Sequence, residues 1–313
     1  MDLQEFTKSL CQKYHLKPQR KRGQNFLIDE KVLKKIIETA SIRKDDIVLE
    51  VGPGFGTLTR ELAKRVKKVL AVEIDLRLAK ALKEILRDYK NVEIVREDVL
   101  NLQPTTYNLQ PLTYKIVANL PYNITSRFLR KFLASAPRPK EMILLLQKEV
   151  AERIVAPRGQ KSLLSISVQV YGKPQIIAKV PKTCFWPSPE VDSAILKISR
   201  IKNKFWSRIS TNNNHELRTN KSVSQGRVDE EWFWKVVKRG FQARRKQLKN
   251  NLKGLLRDEK GYEKILRVLE SIGLGPKVRA QDLSVGNWIG LANELADAKT
   301  QKIANAKMQT RKR

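Results

Sequence analysis

Cysteine and histidine are scarce in this sequence of 313 residues, which contains two of each. Cys11 and Cys184 lie far apart, and His15 and His215 show none of the spacings that metal ligands adopt. The sequence therefore predicts no metal site and no disulfide framework, as is typical of proteins from a reducing compartment.

Long apolar runs are absent as well. The longest aliphatic run, Met142 to Leu146, is far too short to span a bilayer. The first ten residues, MDLQEFTKSL, lack the apolar segment of a signal peptide. We expect a cytoplasmic protein with no membrane association, and no pattern indicates an obligate protein partner.

Acidic residues are few relative to basic ones. The chain has 32 Asp and Glu against 63 Lys and Arg, a formal net charge of +31. A surface adapted to heat raises both signs together, which has not happened here. So strong a positive field favours a polyanion, either nucleic acid or an acidic membrane surface, and counterion release at phosphates makes nucleic acid the preferred reading.

Changes in composition predict five segments along the chain. Residues 1–28 contain the basic run KPQRKR and a loop that could cover a cofactor, and residues 29–200 alternate strand and helix patterns. Residues 201–228 are polar and aperiodic, which indicates a flexible insertion or linker. A purely helical pattern over 229–297 predicts a small α domain, and 298–313 form a basic tail.

The alternating segment predicts the fold class. Short Val, Ile and Leu strands separated by amphipathic helices specify a doubly wound α/β sheet of the Rossmann-like type. The stretch DSAILKISR at 192–200 predicts a late strand that closes this sheet.

Three glycines follow the first of these strands in the sequence VLEVGPGFGTLTREL. Gly52, Gly54 and Gly56 permit a tight turn and a close backbone approach to a ligand before the next helix. At the end of the next strand, Glu73 can accept hydrogen bonds from both ribose hydroxyls of a nucleoside. Nicotinamide enzymes use a similar arrangement, although the G-x-G-x-G spacing favours another ligand, and a glycine turn without any ligand is the plainer alternative.

Asp98 and Val99 come at the end of the third strand. The carboxylate and the neighbouring backbone amide could recognise the amino group and a ring nitrogen of adenine. By itself, Asp98 is equally well explained as a cap at the strand end.

The most informative motif is Asn119-Leu120-Pro121-Tyr122, which ends the fourth strand. Methylation of an aromatic amine requires the nitrogen lone pair to leave conjugation and to point at the methyl sulfonium. The side-chain carbonyl of Asn119 and the backbone carbonyl of Leu120 can each accept one amine hydrogen, Pro121 stiffens the turn, and Tyr122 offers a face for stacking a flipped base. No strong general base is needed, because alignment and charge stabilisation suffice. A merely structural turn is the alternative.

Two further segments are weaker candidates. In FWPSP, Phe185 could close the other side of the base or could be a hydrophobic plug over the sheet. The QNFL segment, which contains Asn25 and Leu27, could fold over the cofactor or be an ordinary entry loop.

Taken together, the motifs resemble the KsgA-type rRNA adenine dimethyltransferases over residues 15–200 and 229–296. They are GQNFL at 23–27, EVGPGFGTLT at 50–59, VEID at 72–75, EDVL at 97–100, NLPYNIT at 119–125, FWPSPEVDSA at 185–194, FQARRKQLKNNL at 241–252 and RAQDLS at 279–284. The chain departs from the family pattern at 202–228 and in its long basic tail.

The resemblance implies S-adenosylmethionine as methyl donor and dimethylation of two adjacent adenines in a hairpin loop near the 3′ end of 16S rRNA, in a small-subunit assembly intermediate. It also implies which residues contact the donor, with Asn119 touching the target amine as well. They are Asn25, Leu27, Gly52, Glu73, Asp98 and Asn119, to which the glycine-loop and adenine readings above add Gly54 and Val99.

Two other functions stay open. An Erm-type enzyme would methylate an adenine of large-subunit rRNA, although the RRKQLKNNL stretch favours the first reading. A non-catalytic assembly or transcription factor on the same fold would have no physical need for carbonyls that orient an amine, so the intact NLPY motif and Glu73 argue against it.

The small α domain contains the candidate RNA contacts. A continuous helix from Glu231 to Arg257 would put Phe233, Val237, Phe241, Leu248, Leu252 and Leu255 on one stripe. Arg244 falls within that stripe and is expected to be partly buried. Lys246, Lys249 and Lys253 lie on the adjoining side and are predicted to bind phosphates, the alternative being an ordinary solvated face. Gly240 makes a kink possible.

Overall fold

The computed structural model of the chain describes residues 2–19, 23–135, 137–202, 229–256 and 261–296. Nearly all of the polar insertion and the basic tail expected from the sequence lie outside these residues. Contacts divide the chain into two compact units, one within residues 1–155 and 171–203 and the other within 156–170 and 204–313. No helix in the described ranges combines the length and apolar character needed to cross a membrane.

The first unit contains a seven-stranded sheet, a two-stranded sheet and six α-helices among the described residues. In chain order its elements are α1 (Leu3–Lys13), β1 (Phe26–Leu27), α2 (Glu30–Ala40), β2 (Ile47–Val51), α3 (Thr57–Ala63), β3 (Lys68–Glu73), α4 (Leu76–Ile85), β4 (Val92–Arg96), β5 (Tyr114–Asn119), α5 (Thr125–Ala134), β6 (Glu141–Gln147), α6 (Lys148–Val155), and then, after the segment that belongs to the second unit, β7 (Lys173–Val180), β8 (Phe185–Trp186) and β9 (Ser193–Ser199).

The large sheet has the strand order β4-β3-β2-β5-β6-β9-β7, and the first five of these strands are parallel. The order reverses between β2 and β5, so the loops that follow these two strands diverge and leave a crevice at their carboxyl ends. The central strands are buried on both faces, which explains why Val, Ile, Leu and Ala dominate them. The predicted fold class is confirmed.

The late strand predicted at 192–200 is present as β9, but it does not close the sheet at its edge. β9 is antiparallel to β6 on one side and to β7 on the other, so β7 forms the edge. The sequence KPQIIAKV of β7 contains Pro174 and is largely half-exposed, and such a polar edge strand lacks the apolar run by which the inner strands are recognised.

Helix α1 was not predicted from the sequence either. Asp2 caps it by accepting a hydrogen bond from Glu5 N at 2.7 Å. Its buried face, Leu10 and Cys11, packs in one cluster with Phe55 and Leu78, which belong to the glycine loop and to α4. The N-terminal segment is therefore a packed element beside the glycine loop as well as a basic stretch of sequence.

The second unit contains α7 (Leu163–Gln169), α8 (Glu230–Gly240), α9 (Leu248–Leu252) and α10 (Gly261–Ser271) among its described residues. The sequence analysis placed residues 156–170 in the first domain, but their contacts group them with the second unit. The reason is visible in the hydrogen bonds, because the amides of Gly159 and Lys161 donate to Gln281 O at 3.0 and 3.3 Å.

The continuous helix expected from Glu231 to Arg257 is interrupted. α8 ends at Gly240, which packs against Trp288 so closely that a Cβ would lie 2.3 Å from that ring. Asn251 Nδ2 then donates to Gly240 O at 2.6 Å and to Ala243 O at 3.1 Å, which satisfies the last carbonyl of α8 and one carbonyl of the following turn. Phe233, Val237, Leu248 and Leu252 are nevertheless all buried, as the apolar stripe predicted.

Candidate functional site

The glycine loop occupies the crevice between β2 and β5. Gly52, Gly54 and Gly56 have φ angles of +65°, +61° and +78°, a region that side chains disfavour. The loop is also crowded, because a Cβ on Gly54 would lie 3.0 Å from the ring of Phe26. The positive φ angles and this close packing explain why the loop needs glycine, and the tight turn predicted from the sequence is present.

Glu73 lies where β3 ends, beside this loop. It is 5% exposed, and its Oε1 accepts a hydrogen bond from Asp75 N at 2.9 Å. Burial raises the pKa of this carboxyl to about 6, although backbone amides of Asp75, Gly54 and Ile74 oppose the shift. Further hydrogen-bond donors, such as the hydroxyls of a ribose, would stabilise the charged form of a carboxyl whose pKa is raised in this way.

Glu50 is a second buried carboxyl that the sequence analysis missed. It lies on β2, is 1% exposed, and its Oε2 has no hydrogen-bond partner among the described residues. Burial raises the pKa of the Glu50 carboxyl to about 8, the charge of Glu73 adds to this shift, and nearby Thr59 opposes it. The Thr59 hydroxyl is itself buried and has no hydrogen-bond partner within hydrogen-bonding distance and angle among the described residues. A charged residue inside the apolar strand IVLEV was the sequence signal that could have revealed it.

The end of β4 lies next to Glu73, because Arg96 pairs with Glu73 and Glu97 N donates to Glu73 O at 3.2 Å. Asp98 Oδ1 accepts a hydrogen bond from Leu100 N at 2.9 Å, so one oxygen serves as a turn cap, and Val99 is buried. Ile74, the residue after Glu73, is 62% exposed, which is unusual for a large apolar side chain. The sequence analysis did not identify Ile74.

Asn119 ends β5 on the other side of the crevice. Its Nδ2 donates to the backbone carbonyl of Asn25 at 3.0 Å. Leu120, which is buried, donates its backbone N–H to Leu145 O at 3.0 Å. The structure thus brings the NLPY turn together with the GQNFL segment, which sequence separation alone did not reveal.

Pro121 is the point where three segments meet. A Cβ on Gly23 would lie 3.4 Å from Pro121 Cα, and a Cβ on Gly52 would lie 3.6 Å from its Cδ. The GQNFL segment, the glycine loop and the NLPY turn are therefore in mutual contact range. The predicted site residues on these three segments form one cluster.

Tyr122 is half-buried, and its hydroxyl lies 2.7 Å from Ser193 Oγ, at the start of β9. Burial raises the pKa of the Tyr122 phenol, an effect that the hydrogen bond to Ser193 partly offsets. The side chain is neutral at physiological pH and can present an aromatic face.

Phe185 lies opposite Leu27 where β1 pairs with β8. The ring is 2% exposed and packs in the core with Leu27, Val180 and Ile195. This placement matches the plug alternative, and a contact between Phe185 and a base stays a prediction.

A cleft lies beside the start of β9, next to Ser193. Its lining combines three carboxylates with two ammonium groups: Lys148, Glu149, Lys182, Glu190, Val191 and Asp192. With more carboxylates than ammonium groups, this cleft is poorly suited to phosphate. No cluster of three or more potential metal ligands occurs in the part of the chain that the structure describes.

The three candidate lysines belong to the second unit. Lys246 and Lys253 are exposed, whereas Lys249 is half-buried with its ammonium 5.6 Å from the ring of Tyr262. Arg244 was expected to be partly buried, and this was wrong. The break after Gly240 puts Arg244, Arg245 and Lys246 in an exposed turn between α8 and α9.

Comparisons with known proteins agree with this geometry. A family model described as ribosomal RNA adenine dimethylase matches residues 15–297. A Dehalococcoides mccartyi protein named Ribosomal RNA small subunit methyltransferase A is 40% identical over 92% of this chain and 92% of its own. A Streptococcus pneumoniae protein of the same name is 39% identical over 92% of this chain and 96% of its own.

Two solved structures are also similar. The 23S rRNA methyltransferase ErmE superimposes with a TM-score of 0.65 and 30% identity, covering 87% of this chain and 100% of that one. A dimethyladenosine transferase from Plasmodium falciparum superimposes with a TM-score of 0.67 and 26% identity, covering 84% and 94%.

Proposed function

This chain belongs to the ribosomal RNA adenine dimethylase family, and from that membership we propose that it transfers methyl groups from S-adenosylmethionine to the N6 amines of two adjacent adenines. The proposed substrate is the hairpin loop near the 3′ end of 16S rRNA, in a small-subunit assembly intermediate in the cytoplasm. Relatives named as small-subunit rRNA methyltransferases support this choice over large-subunit rRNA.

The observation that carries the proposal is the orientation of the Asn119 amide. Its Nδ2 is occupied by the carbonyl of Asn25, so its Oδ1 remains available as an acceptor. An amine hydrogen bonded to Oδ1, and the other bonded to the carbonyl of Leu120, would hold the nitrogen lone pair out of conjugation. Such preorganised acceptors favour the positive charge that develops on the amine during transfer.

The residues beside the glycine loop fit S-adenosylmethionine. The buried Oε2 of Glu50 lacks a partner among the described residues, and burial raises the pKa of Glu73 to about 6. A ligand that carries hydroxyls and a positive charge would stabilise the charged form of both carboxyls. When bound, the donor supplies a methyl group already activated as a sulfonium. Glu73 would hold the ribose, Ile74 the adenine face, and Asp98 with the Val99 amide the adenine edge. Gly52 and Gly54, with Asn25 and Leu27, would enclose the rest.

Tyr122 would stack against the target base after it leaves the RNA helix. Phe185 would support this position from the core, through Leu27 and β1, and would touch the base only after a side-chain rearrangement. No residue in this account removes a proton before transfer, because the sulfonium is electrophilic enough once the amine is aligned.

The net charge of the whole chain, +31, favours RNA as a partner. We assign RNA binding to the second unit. The turn that presents Arg244, Arg245 and Lys246 has three adjacent cations in solvent, and their mutual repulsion would be relieved by phosphates. Lys253 is exposed nearby in sequence, and Lys249 contributes less because Tyr262 already engages its ammonium.

The decisive experiment is mass spectrometry of rRNA from cells that lack the protein and from cells that regain it as wild type or as Asn119→Ala. We expect dimethyladenosine in 16S rRNA to be restored only by the wild type. Methylation of 23S rRNA instead would indicate an Erm-type enzyme, which the similarity to ErmE makes the second candidate. Restored ribosome assembly with no methylation by either protein would indicate a non-catalytic factor.

A further inference from the structure

We propose that Ser193 is a positioning residue for methyl transfer, because it holds the hydroxyl of Tyr122 and thereby fixes the plane on which the target base stacks. The inference rests on the proposed function, in which Tyr122 contacts the flipped adenine. It assigns a role in the reaction to a residue outside the NLPY turn, the glycine loop and the FWPSP cluster.

Ser193 is a fixed point in the sheet. It is fully buried, and β9 pairs it with Gln147 of β6 on one side and with Val180 of β7 on the other. The preceding residue, Asp192, is also held, because its backbone carbonyl accepts from Lys148 N at 3.0 Å and its Oδ1 accepts from Lys182 N at 3.1 Å. The backbone of Ser193 is therefore held by two strand pairings, and only rotation about its Cα–Cβ bond can move the hydroxyl away from Tyr122.

Tyr122 is consequently anchored at both ends. Its backbone follows Pro121 at the end of β5, and its hydroxyl reaches Ser193 Oγ at 2.7 Å. A ring held only through its backbone would rotate about two side-chain bonds, and stacking a base on it would cost that freedom. The hydrogen bond removes this freedom before RNA binds, and a stacking face misplaced by about 1 Å can cost on the order of 10²-fold in rate.

The same strand offers a matched control. Ser199 ends β9, and its hydroxyl lies 3.5 Å from Lys173 O, far from the NLPY turn. Replacement of either serine by alanine removes one hydroxyl from β9, but only Ser193→Ala releases Tyr122. Tyr122→Phe breaks the same hydrogen bond from the other side and leaves the packing around Ser193 intact.

The test measures single-turnover methylation of an rRNA hairpin at saturating S-adenosylmethionine for wild type, S193A, Y122F, the double variant and S199A. We expect S193A and Y122F each to slow transfer by about 10-fold to 10²-fold. The double variant should be no slower than the worse single variant, since both changes break one hydrogen bond. Donor affinity by calorimetry and the rate of S199A should stay at wild-type values.

A second readout reports on stacking directly. The hairpin carries 2-aminopurine in place of the target adenine, and its fluorescence is quenched when the base stacks on Tyr122. Quenching should weaken in S193A and Y122F and persist in S199A. If S193A fails to fold, Y122F decides the matter alone, because it keeps the ring and the buried serine.

Several outcomes would overturn the inference. The first is a wild-type rate in S193A or Y122F, and the second is a pair of rate losses that multiply in the double variant. The third is a rate loss in S193A that is seen only near its melting temperature and is absent at lower temperature, because partial unfolding would then explain it. A wild-type protein that methylates no rRNA hairpin would overturn the proposed function itself, whereas an active wild type with an equally active S193A overturns only the role of Ser193.

Discussion

At Asn119, one side-chain amide has both a structural and a chemical use, since its nitrogen donates to Asn25 O while its oxygen stays available. Asn119→Ala should therefore slow methyl transfer by about 10²–10³-fold, the usual cost of losing one preorganised polar contact. The fold should survive, because Asn119 is only half-buried at a strand end. Single-turnover rates measure the effect, and Asn123→Ala, an exposed asparagine four residues away, is the control. Turnover above a tenth of wild type would refute the assignment.

Glu73 allows a prediction about donor binding at the same scale. Glu73→Ala should weaken S-adenosylmethionine binding by about 1.5–3 kcal/mol, because charge-assisted hydrogen bonds are lost. The affinity for RNA should change little, since the ribose contact is remote from phosphates. Calorimetry with the donor and filter binding with the RNA separate the two effects. The exposed Glu38→Ala should change neither, and an unaltered donor affinity in the Glu73 variant would remove Glu73 from the site.

Glu50 predicts a dependence of stability on pH. Its pKa is raised from the ordinary value near 4.5 to about 8 in the folded protein. Its neutral form therefore contributes stability that is fully present below the unfolded pKa and is lost as pH rises through about 8. Glu50→Gln, which cannot ionise, should lose less unfolding free energy than wild type between pH 6 and pH 9, with a difference of at least about 1 kcal/mol at pH 9.

Denaturant titrations at the two pH values give this comparison. Glu61→Gln, which changes a carboxyl of α3 whose pKa is lowered by Lys64 and Arg65 despite partial burial, should not reduce the fall in unfolding free energy. Parallel curves for wild type and Glu50→Gln would show that Glu50 is already ionised in the folded protein at pH 6, and so that its pKa is not raised.

At the scale of elements, the end of helix α2 depends on one buried cation. Lys115 Nζ donates to Ala40 O at 3.0 Å and to Ser41 O at 2.9 Å, and it pairs with Asp46 Oδ2 at 3.0 Å. These contacts satisfy carbonyls at the helix end and join α2 to β5. They lie at the start of β5, at the opposite end from Asn119.

Lys115→Met should lower the unfolding free energy by about 3–5 kcal/mol, because it leaves Asp46 charged and largely buried without its partner. Lys68→Met breaks an exposed pair with Glu93 and should cost less than about 1 kcal/mol. Chemical denaturation of both variants checks the contrast. Equal losses would mean that the Lys115 contacts contribute no more than a surface pair.

At the scale of the whole molecule, the question is which of the many cations contact RNA. Replacing Arg244, Arg245 and Lys246 with alanine should weaken rRNA binding and reduce its salt dependence by about two to three log units per log salt. The Lys246, Lys249 and Lys253 triple variant should have a smaller effect, because Lys249 is half-buried. Donor affinity should be unchanged in both.

Binding isotherms at several salt concentrations measure these slopes. A control with the same change in charge replaces Lys31, Lys34 and Lys35, which are exposed on α2. If the control lowers the slope as much as the turn variant does, the RNA contacts are spread over the surface and the turn has no special role.

The sequence alone determined the parallel strands of the sheet, the glycine loop and the position of the NLPY turn at a strand end. These features depend on local rules, since burial on both faces requires apolar strands and positive φ angles require glycine. The tertiary structure alone decided that Asn119 bonds to Asn25, that Tyr122 bonds to Ser193, and that Glu50 lies buried without a partner among the described residues.

It also decided that α8 ends at Gly240, since the contact with Trp288 and the bonds from Asn251 come from distant parts of the chain. Gly240 marked a possible kink in the sequence, but apolar periodicity continues through that point, so only the tertiary contacts decided that the helix ends there. Contacts between residues far apart in sequence follow from strand register and packing, which exist only once the chain has closed on itself.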